Sequence, residues 1–231
     1  MLKVVENAVP VACWSCSVAH NESTLFCPDC SKIQPPSSGD YFSVFGMAPR
    51  LNIDLSALEQ EFHRLSRRLH PDRFARASEN EKEWSLADTA LLNDAYRTLK
   101  DPLRRTEYLL KLEGAEMGAS AAAPSPATFL QDQEKNLLEE VFDLNMQLEE
   151  TRMAKKLGQE DPELKESLRS AKEKFKGLVD AVDRDLRAQW AIWDAGDAAA
   201  RQTAQRAMVA LIDRRKYLSN LVRDVTEVLG D

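Results

Sequence analysis

The chain has 231 residues, 43% of them hydrophobic, with only 8 glycines and 10 prolines; this is material for two or three modest domains, and its wealth of Ala, Leu, Glu, Lys and Arg favours helices over turn-rich sheets. Formal net charge is −7, with an excess of roughly +1 over residues 41–112 and roughly −4 over 127–231, so no clustered positive field for nucleic acid is expected. No run of about 18 apolar residues occurs, nor a signal-peptide or transit pattern, which predicts a soluble protein with no membrane partner, in a bacterial cytoplasm or, as the alternative, a mitochondrial matrix.

All four cysteines fall in a head spanning 1–36, as Cys13-Trp14-Ser15-Cys16 and Cys27-Pro28-Asp29-Cys30. Two such pairs can close a tetrahedron of thiolates around one ion, so Cys13, Cys16, Cys27 and Cys30 are the expected ligands of a structural zinc, with iron as the competing metal. A redox dithiol is the alternative chemistry, weakened by the absence of a βαβ pattern nearby. His20, between the pairs, reads as a solvated loop residue.

The stretch Gln34-Pro35-Pro36-Ser37-Ser38-Gly39 and the Gly/Ala/Ser/Pro-rich run from Gly114 to Pro126 resist regular structure. They delimit a middle segment over 40–113, a linker over 114–128 and a C-terminal part over 129–231. In the middle segment, Leu58, Phe62, Leu65 and Leu69 predict one face of a helix from about Leu55 to His70, with Ser56 and Glu59 as its capping box. Pro71 stops it, because the residue before a proline is pushed out of the α region. Trp84, Ala87, Leu91 and Ala95, beside Leu92, Tyr96 and Leu99, predict a second, antiparallel helix. Asp101-Pro102 then reads as cap and first position of a third. Ahead of the hairpin, Tyr41-Phe42-Ser43-Val44-Phe45 is an aromatic segment suited to pack across it.

Arg64, Arg67 and Arg68 fall on the side of the first helix away from its apolar face, beside an exposed loop. The run Arg64-Leu65-Ser66-Arg67-Arg68-Leu69-His70-Pro71-Asp72-Arg73-Phe74 resembles the J-domain family, in which a His-Pro-Asp loop ends a basic amphipathic helix. The resemblance implies docking on the ATPase domain of a DnaK/HscA-type chaperone through Arg64, Arg67, Arg68, His70, Pro71, Asp72 and Arg73. In that role Asp72 pairs with a cation of the partner, Pro71 fixes the loop and His70 orders it. The phrase from Leu92-Asn93-Asp94-Ala95-Tyr96 through Asp101-Pro102-Leu103-Arg104-Arg105 to Leu109-Leu110 resembles the HscB branch, the co-chaperones of iron–sulfur cluster assembly. Some relatives in that branch carry a similar two-knuckle head.

In the C-terminal part, Leu164, Leu168, Ala171, Phe175, Leu178, Val182, Leu186, Trp190 and Trp193 recur at steps of mostly four and three, and Ala207, Leu211, Leu218, Leu221, Val225 and Val228 continue a similar seam. With a helix from about Gln133 to Leu157, these predict a three-helix bundle or a helical hairpin with a crossing arm. The fold class expected is therefore all-α: a J-domain hairpin and a C-terminal bundle behind a small metal-binding head of four cysteines. The HscB resemblance implies that the first tail helix holds the cluster scaffold protein. Registering the family's Phe-Leu start on Leu137-Leu138, in preference to Phe129-Leu130, assigns that role to Leu138 and Phe142, joined by Tyr217. No catalytic arrangement stands out, so the expectation is a non-enzymatic co-chaperone; a thiol-disulfide oxidoreductase and a zinc-ribbon binding protein are the alternatives.

Overall fold

The structure is a computed structural model and describes residues 11–20, 24–36, 39–115, 135–159 and 161–230. These fall into two compact units, one running to Glu113 and one built from three long C-terminal helices.

The first unit opens with a short antiparallel pair, β1 (Val11–Ala12) and β2 (Ala19–His20), with Val11 opposite His20. Asp40 then caps the single turn α1 (Tyr41–Val44), accepting from the backbone N–H groups of Phe42 and Ser43. Helix α2 (Leu55–Leu69) is capped by Asp54, which accepts from the N–H groups of Ser56 and Ala57. The capping box expected of Ser56 and Glu59 is therefore displaced: a carboxylate one position ahead of the helix meets the orphan donors first. A full capping box occurs instead at α3 (Glu79–Lys100), where Ser78 and Glu81 exchange side-chain and backbone hydrogen bonds. Asp101 caps α4 (Pro102–Leu112), with proline at its first position as the sequence predicts.

Leu58, Leu65 and Leu69 of α2 are buried with Leu92, Ala95 and Leu99 of α3, while Ala87, expected on the inner face, is exposed; the α3 core stripe enters one residue later, through Ser85 and Asp88. Phe62 stacks on Tyr96 at 4.1 Å between ring centroids and Tyr41 on Tyr108 at 4.4 Å, so α1 packs onto the α3–α4 end of the hairpin. Arg105, almost fully buried, donates from Nε to the carbonyl of Leu51.

The second unit holds α5 (Lys135–Lys156), α6 (Pro162–Ala195) and α7 (Ala198–Leu229). Val141, Leu144 and Leu148 of α5, Leu168, Phe175 and Val182 of α6, and Leu218, Leu221, Val225 and Val228 of α7 form one apolar seam, the expected three-helix architecture. In the first half of α7 the fully buried positions are Ala204, Met208 and Ile212, one residue off Ala207 and Leu211, which are half-buried, Leu211 against the seam. A bidentate pair between Arg215 and Asp183 and a bridge from Lys174 to Glu140 (2.6 Å) join helices across the seam. The linker from residue 116 onward and the alternative start at Phe129-Leu130 lie outside the described residues.

Candidate functional site

The two cysteine knuckles repeat one local geometry. Ser17 and Ser31, each directly after the second cysteine of its pair, take left-handed backbone at φ 61 and 60. That turn lets the Ser17 N–H reach the Cys13 carbonyl and the Ser31 N–H reach the Cys27 carbonyl, both at 2.9 Å. The returning chain bonds at Cys13 N–H to Val18 O (2.8 Å) and Cys27 N–H to Lys32 O (2.9 Å). Backbone N–H groups also aim at sulfur, from Ser15 to Cys13 Sγ at 3.4 Å and from Cys30 to Cys27 Sγ at 3.5 Å.

The four sulfurs lie within 4.8 Å of one another, with Cys13 to Cys30 at 3.6 Å and Cys16 to Cys27 at 3.7 Å. Ligands of a tetrahedral zinc stand roughly 3.8 Å apart, given Zn–S bonds of about 2.3 Å. All four cysteines are free thiols. The N–H of Cys30 foremost, then those of Asp29 and the His20 ring against the opposing effect of burial, bring Cys27 down to about 6. Cys16, although the Val18 N–H favours its thiolate, is pushed up to about 12 by burial and the neighbouring sulfurs. Four thiol sulfurs at these separations, with backbone N–H groups aimed at two of them, fit a tetrahedral metal ion.

His20 departs from its expected place. It ends β2, half-buried, with Nε2 at 3.3 Å from Cys27 Sγ and 3.4 Å from an Asp29 carboxylate oxygen. Hairpin pairing of β1 with β2 turns this side chain toward the sulfurs, a consequence of register that spacing alone does not reveal.

At the far end of α2, His70 sits at φ −55, ψ 129, the extended conformation that a following proline demands. Residues 71–74 form a single 3-10 turn, capped by His70 itself, whose Nδ1 accepts the Asp72 N–H at 3.3 Å. The Asp72 carboxylate is 90% exposed, with one oxygen 3.5 Å from His70 Nδ1. Ser85 Oγ donates to the Leu69 carbonyl at 2.6 Å, closing the end of α2 against α3 and fixing the stem of the loop.

The arginines do not form a uniform ridge. Arg64 is exposed and held by Glu61, Nε to Oε2 at 2.7 Å; Arg67 is exposed and donates to the His63 carbonyl. Arg68 lies with its guanidinium carbon 3.9 Å from the centre of the Phe26 ring, so it belongs partly to the head. Arg73, exposed on the 3-10 turn, has no carboxylate partner among the described residues. The head grips the second helix as well: Lys32 Nζ meets the buried Glu81 at 2.9 Å, and Trp14 meets Trp84 edge-on at 5.6 Å.

In the second unit Phe142 is 64% exposed, and Met146, Met153 and Leu157, exposed on the same helix, continue it at steps of four, seven and four. Sequence reasoning missed this extension because nothing local distinguishes an exposed methionine from one that fills a core. Tyr217 is half-buried against the apolar seam. The side chain of Leu138 lies outside the described residues.

No family model matches the chain. It is 46% identical over 94 residues to the "Co-chaperone protein HscB homolog" of Vibrio cholerae, covering 41% of this chain and 55% of that protein. It is 34% identical over 142 residues to the "Iron-sulfur cluster co-chaperone protein HscB" of Homo sapiens, covering 60% and 57% respectively. The chain thus spans about half the length of the curated relatives it matches. Among solved structures, "Chaperone HscB from Vibrio cholerae" aligns with a TM-score of 0.56 at 30% identity, over 82% of this chain and 97% of that one. The crystal structure of human co-chaperone protein HscB aligns with a TM-score of 0.63 at 26% identity, over 94% and 98%.

Proposed function

The chain belongs to the HscB co-chaperone family, and from that premise we propose that it stimulates the ATPase of a DnaK/HscA-type chaperone and delivers an iron–sulfur cluster scaffold protein to it. The observation that carries the reading is the Asp72 carboxylate, 90% exposed at the tip of a loop that α2, Pro71, His70 and Ser85 hold in place. A charge presented so rigidly and used so little by its own fold suits a cation on a partner. Arg64, Arg67, Arg68 and Arg73 supply the surrounding positive charge. Phe142, with Leu138 and Tyr217, is the proposed contact for the scaffold, and the exposed Met146, Met153 and Leu157 lengthen that stripe. Zinc is the proposed occupant of Cys13, Cys16, Cys27 and Cys30, with iron as the competing metal; it would neutralise the thiolates and brace the head, with no step of chemistry at the ion. The proposed division is head 1–36, J-domain 40–113, linker 114–128 and scaffold-binding bundle 129–231, acting in a bacterial cytoplasm or a mitochondrial matrix. Among the described residues no helix is long and apolar enough to cross a membrane.

The test is single-turnover ATP hydrolysis by a purified DnaK/HscA-type chaperone with wild type or Asp72→Asn. The substitution keeps size and removes charge, so stimulation should fall by on the order of 2–5 kcal/mol in transition-state terms, while stability stays within about ±0.5 kcal/mol. Equal stimulation by both proteins refutes the reading.

A further inference from the structure

The head does not stand apart from the loop. Between them lies a cleft of about 580 Å³, walled by Phe26 and Lys32 of the head and by Arg68, Arg73 and Phe74 at the end of the hairpin. Its charges do not cancel. Lys32 is neutralised by Glu81, but Arg68 and Arg73 face the same space, and Arg73 has no carboxylate partner among the described residues. Burial first, then the positive charges of Arg64 and Arg73, outweigh the attraction of Glu61 and hold the Arg68 guanidinium below its usual range. Two half-buried aromatic rings, Phe26 and Phe74, give the same space apolar walls.

The geometry points to this cleft as a second docking point for the ATPase partner, receiving a segment that carries a carboxylate beside an apolar side chain, with the cysteine head forming one wall. The inference rests on the reading that the His70-Pro71-Asp72 loop engages such a partner. The cleft opens beside that loop, through Arg73, so one partner surface reaches both. Cation plus aromatic wall favours a protein carboxylate over a phosphate backbone, which needs a longer basic track than two arginines in a chain of net charge −7 provides.

Ser31 and Ala77 line the cleft from opposite walls without taking part in its ion pairs. Ser31→Asp adds negative charge at a left-handed position that Asp and Asn tolerate; Ala77→Glu adds it near the start of α3, where the helix dipole accepts it. Each is compared with its neutral counterpart, Ser31→Asn or Ala77→Gln, in the full chain, by calorimetric titration against a purified ATP-bound DnaK/HscA-type chaperone, with metal content measured alongside. Each acidic variant should bind about tenfold more weakly than its neutral twin. If Ser31→Asp loses metal, the Ala77 pair decides alone. Equal binding by acidic and neutral twins, with Asp72→Asn still abolishing stimulation, overturns the cleft and leaves the loop reading intact. Full stimulation by Asp72→Asn removes the loop reading and this inference with it. A DNA duplex that binds at physiological salt and loses affinity with Ser31→Asp overturns the choice of a protein occupant.

Discussion

The two units are held together by different means. The first adds to an apolar hairpin core around Leu58, Leu69, Leu92 and Leu99 a set of placed polar groups: thiols gathered at one point, carboxylate and hydroxyl caps at each helix start, a buried arginine bonded to a loop carbonyl, and Lys32 locked to Glu81. The second relies on one apolar seam, with polar bridges such as Arg215 to Asp183 at its margin. Polar order fixes single atoms in defined places, which a docking loop needs, and it fails when one partner is lost. An apolar seam holds a surface in shape and degrades in proportion to the volume removed.

The sharpest way to break the first arrangement is to remove the metal proposed for its four sulfurs. Chelation, or Cys27→Ser, should unfold the knuckles outright, since an N-terminal segment with so few buried side chains has no other core. The expected signature is a change in fluorescence from Trp14, which meets Trp84 edge-on, together with loss of bound zinc or iron. An unchanged spectrum after metal loss shows that the head holds without an ion.

In the second unit Phe175→Ala should cost about 3–5 kcal/mol, because its ring is almost wholly buried at the centre of the seam. Urea unfolding measures it. A cost under about 1 kcal/mol, the range of surface substitutions, places the ring at a margin.

Asp88 sharpens the contrast through pH. It is fully buried, neither carboxylate oxygen has a hydrogen-bond partner among the described residues, and burial pushes it up to about 7 from an ordinary value of 3.8. The unfolded chain therefore releases this proton first, so Asp88 costs nothing below about pH 4, costs progressively more as pH rises to about 7, and the penalty is constant above. Glu81 acts in the opposite sense: the Lys32 hydrogen bond, with Ser78, lowers it, so its stabilisation is lost as pH falls through the acid range. The difference in Tm between Asp88→Asn and wild type should therefore grow in favour of the variant from about pH 4 to about 7 and then level off. A flat difference means that Asp88 keeps its charge in the fold.

Much of this was legible in the sequence because the governing signals are local. Pro71 ends α2 where the pre-proline rule requires, Asp101-Pro102 opens α4, and the paired cysteines bring four sulfurs together. What escaped depends on register or tertiary packing. His20 turns toward sulfur through hairpin pairing, Arg68 leaves the solvated face because Phe26 comes from another segment, and the first half of α7 buries Met208 and Ile212 more deeply than Ala207 and Leu211. Nothing local marks Asp88 as buried, since most aspartates lie at the surface.

The smallest effect lies in the knuckles themselves. Ser17 and Ser31 occupy left-handed backbone without being glycine, at φ 61 and 60, a conformation that costs an L-residue roughly 1–2 kcal/mol. The hydrogen bonds that require the turn run from their backbone N–H groups to Cys13 and Cys27 carbonyls, so they survive any side-chain change. Glycine removes the steric cost and returns part of the gain as extra freedom of the unfolded chain, about 0.5–1 kcal/mol. Ser17→Gly and Ser31→Gly should each therefore stabilise the head by about 0.5–1 kcal/mol, read as a higher chelator concentration at half-loss of metal. Valine at either position should shift that midpoint the other way, since a β-branched side chain fits left-handed backbone worst. If glycine instead weakens metal retention, the serine side chains contribute a contact that offsets their backbone strain, and the two knuckles are more than a backbone device.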